Sequence, residues 1–170
     1  MKKLLTTVLL LAMALTAMMV QAQNPVITKV GELDGANAMV LPKAMLTMLA
    51  QKGLDDKTAQ QTGISADDLK NVESVQLISI QKKGTAKKAR KLLKAFKGNK
   101  NYEILAQGKQ AEPKQEVVVY AGPAGRDVLT EMILIIDQND KGLQVIDLMG
   151  TFSKEKLAKR AEELTEDSGD

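Results

Sequence analysis

The sequence contains no histidine and no cysteine among its 170 residues. Without imidazole there is no Ser-His-Asp or Cys-His catalytic arrangement, and without thiols there is no cysteine nucleophile. The same absences exclude His and Cys ligands for transition metals. They also exclude a disulfide, so the folded chain has to be stabilised by a hydrophobic core.

Aromatic residues are scarce, with two Tyr, two Phe and no Trp. Single-stranded nucleic acids stack on aromatic side chains, and this chain has too few of them to form such a platform. The sequence also contains no Gly-x-Ser-x-Gly motif and no phosphate-binding Gly-x-x-x-x-Gly-Lys motif. We therefore expect a protein that is not an enzyme, holds no cofactor or metal and binds no nucleic acid.

The N-terminus has the pattern of a secretory signal peptide. Lys2 and Lys3 precede a largely apolar run over residues 4–20. Val20 and Ala22 occupy the −3 and −1 positions that signal peptidase recognises. An uncleaved membrane anchor is the alternative, because the run approaches the roughly 18 apolar residues that can span a bilayer. No basic cluster follows the run, so we expect cleavage after Ala22.

Cleavage there makes residues 1–22 a signal peptide and residues 23–170 a single domain, with no transmembrane segment left. A lipoprotein anchor requires a cysteine for lipid attachment, and the chain has none. The sequence thus predicts a periplasmic or secreted protein.

Charge is nearly balanced but unevenly distributed. The chain has 24 basic and 21 acidic residues, and removal of Lys2 and Lys3 lowers the net charge from +3 to about +1. Such a balance is not typical of a nucleic-acid-binding protein. Residues 81–100 nevertheless hold nine Lys or Arg and no acid, whereas residues 162–170 are acidic.

Hydrophobic periodicity predicts the secondary structure. Leu41, Met45 and Met48 recur at helical spacing, with Pro42 in the first turn of that helix. The remaining predicted elements are a short helix from Ser65 to Asn71, a strand at 75–80, a helix at 86–97, strands at 102–106, 117–120, 128–136 and 143–149, and a final helix that begins near Ser153 and carries Leu157, Ala161 and Leu164 on one face.

Successive strands joined by short turns favour antiparallel pairing. We therefore expect an α+β domain built as a two-layer sandwich, with a mainly antiparallel five-stranded sheet and helices packed on one face.

The helix at 86–97 is the most strongly charged surface that the sequence predicts. Its apolar stripe comprises Ala86, Ala89, Leu92, Leu93 and Phe96. Its candidate contacts to an anionic surface are Lys87, Lys88, Arg90, Lys91, Lys94 and Lys97. A solvated face that keeps the protein soluble is the alternative interpretation.

Two loops resemble ligand sites only superficially. Residues 137–142 resemble the start of a calcium-binding loop. Lys141, however, occupies the fifth loop position, where an oxygen ligand is needed, and Leu148 occupies the twelfth, where such loops have a bidentate Glu. Residues 121–126, with two Gly beside Arg126, suggest an anion site. We expect both loops to be ordinary turns.

Met39, Met45 and Met48 allow two interpretations. Methionine is common in adaptable peptide-binding grooves, but at helical spacing it more often fills a core. We expect these three side chains to be core residues.

Four segments carry a family pattern: AMVLPKAMLTML at 38–49, LKNVESVQL at 69–77, MILIID at 132–137 and VIDLMGTF at 145–152. In this order they resemble the domain-of-unknown-function family 4252, which comprises small exported proteins of Bacteroidota. The resemblance implies one extracytoplasmic domain and carries no activity, cofactor or catalytic residue. Some relatives are lipid-anchored, and the absence of cysteine sets this chain apart from them.

These observations leave three functional hypotheses. The first is a non-catalytic envelope interaction module that binds an unknown envelope protein. The second is a peripheral protein that binds anionic lipid through the basic helix. The third, and least favoured, is a hydrolase that uses Ser, Lys or carboxylates without His or Cys. Homo-oligomerisation through a sheet edge stays open.

Overall fold

The computed structural model describes residues 24–52, 70–110 and 114–158. The helices and strands follow in this order: α1 (Pro25–Gly31), β1 (Ala36–Pro42), α2 (Lys43–Lys52), β2 (Val72–Ile80), α3 (Lys83–Leu93), β3 (Glu103–Gln110), β4 (Gln115–Gly122), β5 (Val128–Asp137) and β6 (Leu143–Ser153). A further helix, α4, begins at Lys154, and 3-10 helices cover Lys94–Phe96 and Asn139–Lys141. No helix in these described ranges is long and apolar enough to cross a bilayer.

The strands form one antiparallel sheet in the order β1-β2-β6-β5-β4-β3. The last four strands of the chain form a meander, and β6 inserts between β5 and β2. The α+β class and the antiparallel sheet are confirmed, but the sheet has six strands instead of the five that the sequence predicted.

The additional strand is β1. The sequence analysis placed Leu41 and Pro42 in the first turn of a helix, whereas both belong to β1 and the helix begins at Lys43. This strand contains Ala, Asn and Met and only one β-branched residue, Val40, so its composition gives a weak strand signal. Its pairing with β2, which is continuous from Ala36 to Pro42, determines its conformation.

Helix α1 was also missed by the sequence analysis, because seven residues are too few to show a helical period. Its start has a clear chemical cause. The Asn24 side chain accepts a hydrogen bond from the Val26 N–H at 3.0 Å, and Pro25 occupies the first turn, where its missing N–H costs nothing. The helix buries Ile27 and Val30 completely.

Alternating residues of each strand point to opposite faces of the sheet, and both faces are covered by helices. On the first, called face A, α1 and α3 pack against Ile78, Ile133 and Val145. The predicted apolar stripe of α3 is confirmed on this face: Ala86, Ala89, Leu93 and Phe96 are buried, and Leu92 is partly buried.

Face B carries a second core. Leu46 of α2 and Leu157 of α4 pack there against Val75, Leu129 and Leu148. The prediction of helices on one face of a two-layer sandwich is therefore wrong. Apolar residues occur on both sides of β2 and β6, which places helices on both faces and gives three layers.

The other predicted strands are confirmed as β2 to β6, with bounds extended by a few residues. The final helix begins at Lys154, one residue after the predicted cap. Ala161 and Leu164, the acidic stretch at 162–170, residues 65–69 of the helix predicted from Ser65 and the signal peptide at 1–22 lie outside the described residues. Lys70 and Asn71, where that helix was predicted to end, form a turn.

Candidate functional site

The basic helix presents two different kinds of cation. Arg90 is half-buried and forms a bidentate ion pair with Asp137, in which Nε and Nη2 each donate at 2.7 Å. It also donates to the backbone oxygen of Asn139 at 2.6 Å. The hydrogen bond to Asp137 raises the pKa of Arg90. The three hydrogen bonds of its guanidinium connect α3 to the turn after β5.

The lysines of this helix are arranged differently. Lys82 pairs with Asp34 and Lys83 with Asp140. Five of the six predicted contacts to an anionic surface are exposed and form no ion pair with any residue in the described part of the chain: Lys87, Lys88, Lys91, Lys94 and Lys97. We call these five residues the lysine face. Of the six residues predicted as anionic-surface contacts, only Arg90 has a structural role instead.

The loop that echoes a calcium site is a hairpin turn whose carboxylates already have partners. Burial raises the pKa of Asp137, but hydrogen bonds from Arg90 and from the Asn139 N–H outweigh it and leave that pKa below its ordinary value. Asp140 is bound by Lys83 at 2.9 Å. Both carboxylates serve to position α3.

The glycine loop after β4 does not form an anion site either. The Gly125 N–H donates to Oε1 of Glu103 at 3.3 Å, so a carboxylate of the chain already lies at this amide. Glu103 in turn accepts from Lys154 Nζ at 2.7 Å, which joins β3 to the start of α4 and lowers the pKa of Glu103.

Serine and lysine occur at Ser-x-x-Lys spacing twice, as Ser79 with Lys82 and Ser153 with Lys156. Catalytic pairs of this kind approach each other when Ser and Lys lie three positions apart on one helix. Ser79 lies in β2 and Ser153 ends β6, so neither pair shares a helix. These residues give no support to the hydrolase hypothesis.

A buried polar cluster lies on face A beneath the start of α1. Nδ2 of Asn24 donates to the Tyr102 hydroxyl at 2.7 Å and to Oε1 of Glu131 at 2.9 Å. The Tyr102 hydroxyl donates to Oε2 of Glu131 at 2.5 Å. Burial and the hydrogen bond to Glu131 raise the pKa of Tyr102, so it stays a donor at neutral pH.

Asp147 and Gln76 extend this cluster into the sheet. They are direct cross-strand partners between β6 and β2, and they are 1% and 8% exposed. Asp147 Oδ1 and Gln76 Oε1 have no hydrogen-bond partner among the described residues. Burial, with a smaller contribution from the charge of Glu131, raises the pKa of Asp147 to about 7. A protonated Asp147 would supply the donor that this pair of acceptors lacks.

Sequence reasoning missed this cluster because its members come from four separate elements and the loop before β3. Asp147 lies between Ile146 and Leu148 in strand β6, and this acidic residue between two apolar ones is the sequence signal it gives. Its burial keeps it out of reach of a substrate. Tyr102 and Glu131 are only half-buried, so Asp147 is the member of the cluster that a substrate cannot reach.

The described part of the chain exposes several large apolar side chains around β1 and α2. Met39, Met45 and Met48 are 52%, 48% and 57% exposed, and Val40 is 44% exposed. The prediction that these methionines fill the core is wrong, because β1 is an edge strand and, among the described side chains of α2, Leu46 is the one that packs in the core. We call Met39, Met45 and Met48 the methionine surface.

A groove of about 360 Å³ opens on face B beside this surface. Met39 of β1, Leu77 of β2 and Ile146 of β6 form its apolar floor, and Asn37, Ser79 and Gln144 lie at its end. Among the described residues, α2 and Leu157 cover the other core residues of face B, and none of them covers the groove on its β1 side.

A protein-family model described as a domain of unknown function (DUF4252) matches residues 31–160. No curated protein matches the chain, and no solved structure matches its fold.

Proposed function

Since the chain belongs to the DUF4252 family, which has no assigned function, we propose from its exposed surfaces that it is a non-catalytic, extracytoplasmic protein-interaction module of the cell envelope. Its contact region is the methionine surface with the adjoining groove. The signal-peptide pattern at residues 1–22 supports the location, and the lack of His and Cys supports the absence of catalysis.

The observation that carries this proposal is the exposure of three methionines on two consecutive elements, β1 and α2. Single exposed apolar residues are normal on protein surfaces, but grouped ones mark interaction sites. Methionine is flexible and polarisable, so a surface made of it adapts to the apolar side chains of a partner. A protein partner fits best, because the groove beside this surface combines an apolar floor with the polar side chains of Asn37, Ser79 and Gln144 at its end.

Site-specific photo-crosslinking tests this proposal. A photoreactive residue placed at Met45 or Met48 should give adducts of one mass with a protein of the native envelope, identified by mass spectrometry. The same residue at Ile104 or Val128, which are 50% and 55% exposed elsewhere on the molecule, is the matched control. Adducts that are absent, or equally strong at the control positions, would contradict the proposal.

Adduct formation should also depend on the chemistry of the surface. Met48→Lys places a charge among the apolar contacts and should weaken crosslinking from Met45 at least tenfold, because desolvating an unpaired charge costs more than about 1.4 kcal/mol. Ile104→Lys should leave that crosslinking unchanged. Circular dichroism of both variants reports whether folding is intact.

The lysine face supports a second candidate function, binding to an anionic membrane surface. Five lysines without an acidic partner in the described residues are available to lipid phosphates, each contributing about 1 kcal/mol near a charged surface. If this function holds, the protein will sediment with vesicles of anionic lipid at low salt. Binding should disappear near 0.5 M salt, where the Debye length falls to roughly 4 Å.

The variant that removes four charges of the lysine face tests this second function. Replacing Lys87, Lys88, Lys91 and Lys94 by Gln should abolish vesicle binding. Replacing Lys29, Lys114, Lys141 and Lys156 by Gln removes the same charge elsewhere and should leave much of the binding intact. An equal loss of vesicle binding in both variants would mean that binding depends on net charge alone, and it would contradict a binding site at the lysine face.

A further inference from the structure

The two edges of the sheet differ in how they are protected. Strand β3 at one edge carries Glu103 and Lys109, which pair with Lys154 and Glu116, and its register with β4 shifts between Ile104 and Ala106. Charges and bulges are the devices by which natural proteins prevent strand addition at an exposed edge.

Strand β1 at the other edge has none of these devices along most of its length. Its seven residues, Ala36–Pro42, include no charge, and they pair with β2 without a register shift. Its four central residues from Asn37 to Val40 are exposed. Pro42 is the single residue without an N–H, and it stands at the end of the strand. Within the described residues, β1 pairs with β2 alone.

We propose that β1 pairs antiparallel with β1 of a second copy of this chain, so that the two six-stranded sheets join into one across a two-fold axis. The second copy supplies a strand of the required kind, because β1 is itself uncharged, regular and seven residues long. A two-fold axis perpendicular to the sheet makes face A of one copy continuous with face A of the other. Such an axis requires that one residue of β1 pairs with the same residue of the second copy, and the axis passes between these two residues.

Pairing of all seven residues puts this axis at Met39, the centre of Ala36–Pro42. Met39 then faces the partner's Met39 on face B, beside both grooves. Ala38 faces the partner's Val40 on face A, which pairs two small apolar side chains. Every cross-strand pair is free of charge, and each copy removes exposed apolar surface from water.

This arrangement extends the proposed function, on which it partly rests. The methionine surfaces of the two copies lie on the same face of the joined sheet and adjoin across the axis. The interaction module is then a two-fold surface about twice as large as that of one chain, which suits a symmetric or repeated partner.

The complete lack of cysteine allows a direct test, because a single introduced thiol can be oxidised only with its copy. Directly opposed residues in antiparallel strands have Cα atoms about 4.5–5.5 Å apart, within the roughly 4.4–6.8 Å that a disulfide spans. Met39→Cys should therefore form a disulfide-linked dimer at least about tenfold faster than Ile104→Cys, which is equally exposed on the β3 edge.

Charge exchange at the same position gives an independent readout. Protein produced from the full-length sequence should sediment at twice the mass of one chain. Met39→Lys and Met39→Glu should each be monomeric, because like charges then oppose each other across the axis. An equimolar mixture of the two variants should regain the dimer. Circular dichroism should be unchanged in both, since Met39 is half-exposed at an edge.

A monomer at all accessible concentrations, or Met39→Cys oxidising no faster than Ile104→Cys, would overturn the strand pairing. A dimer that crosslinks through Ile104→Cys would overturn it as well. The proposed function is judged separately, by photo-adducts from Met48 to a different protein. Such adducts in a strictly monomeric protein would retain the interaction module and reject the dimer.

Discussion

At the scale of single residues, the burial of Asp147 makes the stability of the protein depend on pH. Asp147 is 1% exposed, its Oδ1 has no hydrogen-bond partner among the described residues, the charge of Glu131 acts on it, and its pKa is about 7. An ionised carboxylate there would be an unpaired buried charge, which proteins avoid by retaining the proton. The folded state consequently binds this proton more tightly than the unfolded state, where the ordinary pKa is 3.8.

The sign of the effect follows from this difference. The contribution of Asp147 to stability is fully present below pH 3.8, falls as pH rises towards 7, and is lost above it. Three pH units correspond to roughly 4 kcal/mol. Asp147→Asn is isosteric and does not titrate. Relative to this variant, we expect the wild-type free energy of unfolding to fall by up to about that amount between pH 4 and pH 8.

Urea denaturation across this range measures the difference. Asp34→Asn, which removes a carboxylate whose side chain is 95% exposed, controls for the loss of one negative charge. Two parallel pH profiles for the wild type and Asp147→Asn would contradict the assignment of the proton to Asp147. Asp137 and Glu103 have lowered pKa values, so their contribution to stability is lost as the pH falls. Both residues are present in the wild type and in Asp147→Asn, so this contribution cancels when the two proteins are compared.

At the scale of elements, the junction of β6 with β2 depends on a close approach of backbone. A Cβ at Gly150 would lie 2.3 Å from the Asn71 carbonyl oxygen, which also accepts the Thr151 N–H at 2.9 Å. The register between β2 and β6 shifts at this point. Only a residue without a side chain fits there.

Gly150→Ala should therefore destabilise the protein by about 2–3 kcal/mol, since neither backbone can move without breaking the pairing of two central strands. Gly84→Ala is the matched control. A Cβ at Gly84 meets nothing within 4 Å, and alanine favours the helix, so this change should stabilise by about 0.5 kcal/mol. Equal effects in thermal or urea unfolding would contradict this account of Gly150.

The comparison of sequence with structure is clearest for these elements. Strands β2, β4, β5 and β6 and helix α3 were predictable, because β-branched runs and an apolar stripe are local signals. Strand β1 was not, since Met, Ala and Leu suit either structure and only its pairing with β2 decides. That error also placed Met39 in a predicted core, whereas Met45 and Met48 lie on the exposed side of a helix that was predicted. The Asp147 cluster was unpredictable because its contacts join residues distant in sequence.

At the scale of the whole molecule, the distribution of charge and apolar surface separates two regions. The lysine face lies on α3 and the 3-10 helix that follows it, which pack on face A, whereas the methionine surface belongs to β1 and α2 on the side of face B. A protein partner at the second region would leave the lysines free for an anionic surface. The two candidate functions are thus compatible in one molecule, and their variants can be combined because the residues do not touch.

Both functions require that the chain reaches the envelope, which makes processing of the N-terminus the broadest prediction. We expect protein produced from the full-length sequence and recovered from the envelope to begin at Gln23, as measured by intact mass and N-terminal sequencing. Ala22→Arg places a large charged residue at the cleavage position and should cause the precursor to accumulate in the membrane. Asn24→Ala, two residues downstream, should leave processing unchanged while weakening the cap of α1. Wild-type protein that retains residues 1–22 would instead establish the uncleaved anchor and tether the methionine surface to the membrane.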